Sequence, residues 1–335
     1  MGSELITSRT GETALFGAGT DCLPVVPVLV PSLVVAAGER AAIRFLEFFA
    51  AQIQNPNTRA AYARAAGEFL AWCDDRGIPS LMAVQPLHVA AWVEQLKGSV
   101  SVPTVKLRLA AIRHLFDWLV MGQIMPVNPA AAVRGPKHVV RKGKTPVLDA
   151  SEVRVLLDSI SGTSHIDLRD KALIGLMLYS LARIGAVVGM KVEDVFTQNR
   201  RQWIRLHEKG GKLHDMPCNH NAEAFLLAYI DGTGIAADPK GALFRSVGRD
   251  GRLTRNALHR VKAFELVRKR AAAAGIGTKI GNHSFRATGI TVFRKLGGSL
   301  ENAALMANHA STRTTQLYDR KSDEVTLDEV ERIRF

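Results

Sequence analysis

The chain has 335 residues, 47% of them hydrophobic, which is enough apolar material for two ordinary cores. Lys and Arg total 44 against 31 Asp and Glu, a formal net charge of +13 that points to a polyanionic partner, nucleic acid ahead of a membrane surface. Three cysteines, Cys22, Cys73 and Cys218, exclude a disulfide framework and suit a reducing compartment.

Residues 1–38 are rich in Gly, Pro and Val without helical period and predict an extended, flexible arm. Its apolar stretch from Leu23 to Ala37 contains Pro24, Pro27 and Pro31 and is too short to span a bilayer as a helix. It also lacks the basic start and compact apolar run of a secretory signal, so the expected compartment is the cytoplasm, with no membrane partner. From Glu39 to Ile124 apolar residues recur at helical spacing in four blocks: Ile43, Leu46 and Phe49; Tyr62, Phe69, Leu70 and Cys73; Val89, Trp92, Val93 and Leu96; Leu109, Ile112, Leu115, Phe116 and Leu119. Breaks fall at Asn55-Pro56-Asn57, at Gly77-Ile78-Pro79 and at Ser101 with Pro103, so residues 39–133 are expected to form a four-helix bundle. Its polar faces hold Arg59, Arg64, Lys106, Arg108 and Arg113. On a bundle such residues are ordinarily just solvated, but Lys106, Arg108 and Arg113 lie on one helix and are candidates for following a DNA phosphate backbone.

The segment Arg134 to Pro146, RGPKHVVRKGKTP, has no apolar period and reads as a basic domain linker over 134–147. Arg141, Lys142 and Lys144 are expected to lie along DNA and help close a clamp between two domains. Helical period returns at Ser151 to Ile160, and LRDKALIGLMLYSLARIGAVVG predicts one long buried helix from Leu168 to Val188. Two short alternating runs around Gly210-Gly211 predict a β-hairpin, with Lys209 and Lys212 flanking its turn. From Ala222 onward the pattern is mostly helical. In the tail, Thr326 and Glu329 form a capping-box pattern, and Leu327, Val330 and Ile333 mark one face of a short helix suited to docking on a neighbouring protomer or on its own domain. The expected fold is mainly α with a small β-sheet: a helical-bundle N-terminal domain followed by an α+β domain over 148–335.

Two segments of the second domain, HSFRATG and NHASTRTTQLY, are the strongest local signal. Together with Arg183 in LARIGAVVGMKVEDV and Lys209 at the hairpin turn, they supply an Arg, a Lys, a His-x-x-Arg (His283 and Arg286), a His (His309) and a Tyr (Tyr318) nine positions after it. In that order the set resembles the tyrosine recombinases, the group that includes the phage integrases and Xer-type proteins. The resemblance implies a core-binding N-terminal domain, a catalytic domain and six catalytic residues, Arg183, Lys209, His283, Arg286, His309 and Tyr318. It further implies site-specific cutting and rejoining of DNA through a 3′-phosphotyrosyl intermediate, for integration, excision or resolution. The expected partners are double-stranded DNA with an inverted-repeat site and further copies of the chain, four on two sites, with no metal or nucleotide cofactor.

The residue types suit such chemistry on physical grounds. Two guanidiniums, Arg183 and Arg286, hold their charge at any working pH and present planar forks to phosphate oxygens. His283 and Arg286 stand three apart on a predicted helix and so share a face. A tyrosine hydroxyl, with an ordinary pKa of about 10, must lose its proton as it attacks, and His283 is the candidate acceptor. Lys209 would protonate the departing sugar oxygen, and His309 would donate a hydrogen bond to the phosphate.

Single residues of these types are more often structural than functional, and only their ordered spacing singles them out. His214, Cys218 and His220 lie near one another in sequence but lack a fourth zinc ligand at matching spacing. Three positions depart from the family pattern: Ala186 stands where an acidic residue is usual, Ala287 where a second His is, and Asn308 where a Gly is. A type IB topoisomerase-like relaxing enzyme and a catalytically inactive DNA-binding protein are the rival readings.

Overall fold

Most buried apolar side chains collect in two large clusters, one drawn from residues 30–133 and the other from residues 148–285, with a small third made by Leu181, Ile290, Ala303 and Ala307. The computed structural model describes residues 5–7, 13–15, 29–139, 143–208 and 210–320. It divides into two units, residues 1–139 and 140–335, a boundary inside the segment expected to be the linker.

In the first unit, β1 (Leu5–Thr7) and β2 (Thr13–Leu15) pair antiparallel. Then follow α1 (Ser32–Ala36), α2 (Glu39–Glu47) running into a wider π turn at Phe48–Gln52, α3 (Pro56–Asp74), α4 (Pro86–Ser99) and α5 (Val102–Met121). Asn55 opens α3: its Oδ1 accepts the N–H groups of Asn57 and Thr58, and Pro56, with no N–H to satisfy, takes the first turn. Phe69 sits at the centre, its ring against those of Trp72, Trp92 and Phe116. The expectation of an extended arm through residue 38 is corrected at its end. After Pro31 the run SLVVA meets no breaker before Gly38, so it forms a helical turn that buries Leu33 and Val34 in the bundle core.

The second unit begins with α6 (Ala150–Asp158), capped by Asp149, whose Oδ1 accepts the Glu152 N–H while the Glu152 carboxylate accepts the Asp149 N–H. The expected single helix from Leu168 to Val188 is two. Helix α7 (His165–Ser180) ends at Leu181 in the left-handed region (φ 57°), Arg183 is extended (φ −72°, ψ 141°), and α8 (Ile184–Val188) starts afresh. No Gly or Pro marks the break. A tertiary bond accompanies it: the Leu181 carbonyl is taken by Arg286 Nε at 2.6 Å.

A three-stranded antiparallel sheet follows, ordered β3 (Val195–Gln198), β4 (Arg201–His207) and β5 (Leu213–Pro217). The β4–β5 hairpin pairs His207 with Leu213 and turns through Gly210 and Gly211, both at positive φ (81° and 75°), as the Gly-Gly pair predicts. After α9 (His220–Thr233), a second hairpin of β6 (Arg245–Val247) and β7 (Leu253–Ala257) interrupts the region expected to be helical. Its turn is made by Gly251 at φ 76° and by Asp250 Oδ1 accepting the Arg252 N–H. Helices α10 (Arg260–Ala273), α11 (Asn282–Lys295), α12 (Leu300–Met306) and α13 (Thr312–Gln316) complete the described chain. The fold is mainly α with small antiparallel sheets. Among the described residues, no helix is long and apolar enough to cross a membrane.

Helix α7 is the hub of this unit, packed by α9 and α11. It is buried on nearly all sides, including Arg169 and Asp170. Asp170 accepts from Arg169 (2.6 and 3.0 Å) and from Arg270 (2.8 Å), while Arg270 also reaches Asp167 at 2.7 Å. Removing one member of a buried ionic network strands the others without solvent. Asp170→Ala is therefore expected to lower the free energy of urea unfolding by about 3 kcal/mol, whereas Asp215→Asn, in the exposed Arg205–Asp215 pair, costs under about 1 kcal/mol. Equal losses in the two variants would show that the α7 network contributes no more than a surface pair.

Candidate active site

The break between α7 and α8 and the start of α11 bring the sequence-predicted residues together. Gly289 lets α11 approach closely, since a Cβ there would meet the Leu178 carbonyl oxygen at 2.6 Å and the Leu181 side chain closer still. One turn earlier on α11, Arg286 is 1% exposed. Its Nε donates to the Leu181 carbonyl at 2.6 Å and its Nη1 lies 2.7 Å from His309 Nε2. A guanidinium only donates, so His309 Nε2 accepts, and the ring proton sits on Nδ1, which donates to the buried Thr315 hydroxyl at 2.9 Å. In this arrangement the Nε2 lone pair of His309, the residue expected to donate a hydrogen bond to phosphate, is engaged by Arg286. The remaining nitrogen of Arg286, Nη2, is buried with no hydrogen-bond partner among the described residues.

Electrostatics follow from this packing. Burial, and then the positive charges of Arg286 and Arg183, push His309 down to about 4 and lower His283 as well, so both imidazoles are neutral at pH 7. Burial and Arg183 bring Arg286 down to about 10, still protonated at neutral pH, while Glu208 and Tyr318 act in the opposite direction.

Tyr318 lies just after α13. Its ring stacks on those of His309 (5.6 Å between centroids, planes 19° apart) and His283 (6.4 Å, 24°). Its backbone is held from both sides: Thr291 Oγ1 donates to the Tyr318 carbonyl and accepts the Arg320 N–H, each at 3.2 Å. Buried Asp319 accepts from Arg294 at 3.1 Å, and Arg320 Nη2 donates to the Thr145 carbonyl at 3.0 Å. Arg183 projects from the N-cap of α8, with its side chain 39% exposed, and pairs with Glu208 at 2.8 Å.

Five of the six predicted catalytic positions, Arg183, His283, Arg286, His309 and Tyr318, therefore belong to one constellation, and Lys209 lies outside the described residues. Sequence reasoning missed Glu208, Thr291 and Thr315. For Glu208 a signal existed: an acidic residue beside the hairpin lysine in a chain with Ala186 where an acid is usual. The hydroxyls had none.

The DNA-contact candidates divide. Lys106 is exposed on α5. Its companions have partners within the bundle: Arg108 pairs with Glu68 on α3 at 2.9 Å, and Arg113 donates to the carbonyls of Ala130 and Val133. Arg108 lies two positions, about half a turn, from Lys106 and so points away from it. Lys144 is exposed and shares a groove with Arg268, Lys279 and His283. Arg141, Lys142 and the predicted tail helix with Thr326, Glu329, Leu327, Val330 and Ile333 lie outside the described residues. Among the described residues no group of three or more His, Cys, Asp or Glu side chains is placed to hold a metal, His214, Cys218 and His220 included.

Comparison with known proteins gives the family and the fold. Residues 146–324 match the Phage integrase family, and residues 42–123 match its N-terminal SAM-like domain. The chain is 30% identical over 283 residues to the Tyrosine recombinase XerD of Mycobacterium leprae, covering 78% of this chain and 86% of that one. In fold it is similar to the XerH site-specific recombinase bound to a palindromic difH substrate, with a TM-score of 0.65 and 16% identity over 87% of this chain and 92% of that one. It is likewise similar to a lambda integrase tetramer bound to a Holliday junction, with a TM-score of 0.63 and 14% identity over 97% of this chain and 96% of that one. The chain belongs to the phage integrase family.

The depressed pKa of His309 has a consequence for stability. Between its ordinary value of 6.5 and about 4, the unfolded chain binds a proton that the folded chain refuses, so this group costs stability as pH falls through that window and nothing above it. Melting temperatures of the wild type are expected to fall more steeply from pH 6.5 to 4.5 than those of His309→Gln. Parallel curves would show that His309 titrates normally in the fold.

Proposed function

We propose that this chain is a site-specific DNA recombinase that cuts and rejoins strands through a 3′-phosphotyrosyl link at Tyr318. The observation that carries this reading is the pairing of a buried guanidinium, Arg286, anchored through two nitrogens with the third left without a partner, with a tyrosine ring stacked on two neutral imidazoles. Arg286 Nη2 and the exposed part of Arg183 are the donors for the phosphate oxygens, fixed before the substrate arrives and so requiring little reorganisation. His283, neutral because its surroundings disfavour a further positive charge, accepts the Tyr318 proton as the hydroxyl attacks phosphorus. Lys209 protonates the departing 5′ oxygen. His309 holds the plane of Arg286 rather than donating to the phosphate.

The phosphotyrosyl ester retains the energy of the broken bond, so attack by a DNA hydroxyl reseals the strand and frees Tyr318 without ATP. With the charge supplied by guanidiniums, the reaction scheme needs neither metal nor nucleotide. The substrate is double-stranded DNA with an inverted-repeat site, followed along its phosphates by Lys106, Lys144, Arg268 and Lys279, together with Arg141 and Lys142. Strand exchange joins two such sites in a tetramer, a reading supported by the likeness to an integrase described as a tetramer on a Holliday junction. The compartment is the cytoplasm, with the DNA.

Tyr318→Phe removes one oxygen and keeps the stacked ring. On a nicked half-site substrate it is expected to retain binding within about threefold while the covalent protein–DNA band on a denaturing gel disappears. A persistent alkali-resistant adduct in that variant would assign the nucleophile elsewhere.

A further inference from the structure

We infer that Glu208 is the positioning residue of the two-arginine centre, its buried carboxylate holding Arg183 beside Arg286 from the sheet side. The inference rests on the reading of Arg183 as a phosphate-binding group. Arg183 has little of its own to hold it: it leaves the backbone at a helix break, as the N-cap of a five-residue helix whose first turn carries no acidic residue. Among the described residues its ion-pair partner is Glu208, at 2.8 Å between Nη1 and Oε2.

The pair is asymmetric in a way that suits positioning. The Glu208 side chain is 4% exposed and that of Arg183 39%, so the anchor is the buried partner and the arginine is the one that reaches solvent. Glu208 is itself fixed to the hairpin, where its N–H donates to the Lys212 carbonyl at 2.7 Å. Its carboxylate engages Nη1 of Arg183, and the guanidinium has further N–H donors for an incoming phosphate. Two guanidiniums brought to one site repel each other, and a single fixed carboxylate offsets that repulsion while leaving net positive charge for the substrate. The raised protonation of Arg286 by Glu208, against the lowering by Arg183, follows the same physics.

Single-turnover cleavage of a nicked half-site by the full chain tests this. Glu208→Gln is expected to slow covalent adduct formation by roughly 10- to 100-fold at saturating enzyme while half-site Kd changes by less than about threefold. Glu208→Asp should recover part of the rate. In an Arg183→Ala background, followed over hours, adding Glu208→Gln should change the residual rate by less than about twofold, because Glu208 acts through Arg183. A wild-type rate in Glu208→Gln, or losses that multiply in the double variant, would overturn the inference while leaving the recombinase reading intact. A wild type that forms no adduct would overturn both. Should Glu208→Gln fail to fold, a structure of the wild-type chain on a half-site decides: Glu208 within hydrogen-bond distance of Arg183 supports the inference, and a released Glu208 overturns it.

Discussion

A guanidinium buried to 1% exposure is the constraint on which this catalytic unit depends. A charge so removed from water is tolerated only when its donors find acceptors, and Arg286 finds them in two places that are remote in sequence: the Leu181 carbonyl and His309 Nε2. The first contact holds the break after α7 that turns Arg183 out of an otherwise apolar stretch. The second fixes the histidine tautomer and, through Thr315, the short helix that leads into Tyr318. One buried side chain thereby sets the relation of the other arginine, a histidine and the tyrosine.

The same burial shapes the protonation states. Two arginines at a partly dry site make every further positive charge unfavourable, so His309 and His283 stay neutral without any carboxylate partner. A neutral imidazole beside a tyrosine ring is able to accept a proton, and that state comes first from burial and then from the two neighbouring guanidiniums. Glu208 is the counterweight that keeps the two guanidiniums compatible.

Much of this was legible in the sequence, and the parts that were not share a cause. The apolar blocks at helical spacing predicted α2 to α5, the Gly210-Gly211 pair predicted the hairpin, and the spacing of His283 and Arg286 predicted a shared helical face, because each depends on neighbours along the chain. The break at Leu181 had no local signal: YSLAR contains neither Gly nor Pro, and the backbone bends where a residue 105 positions away takes its carbonyl. For Arg108 and Arg113, composition cannot show that Glu68 and two loop carbonyls stand opposite them. The β6–β7 hairpin was hidden by its brevity, and α1 by the prolines before it. Partners chosen by tertiary packing are what periodicity cannot supply.

In the proposed reaction Arg286 acts as a fixed fork, bonded in two directions and open in a third, rather than as a positive charge alone. Arg286→Lys keeps the charge but cannot reach Leu181, His309 and a phosphate together. Measured as single-turnover cleavage of a nicked half-site, this variant is expected to lose at least about 100-fold in adduct formation while half-site binding stays within a few fold. Cleavage by Arg286→Lys at the wild-type rate would contradict the claim.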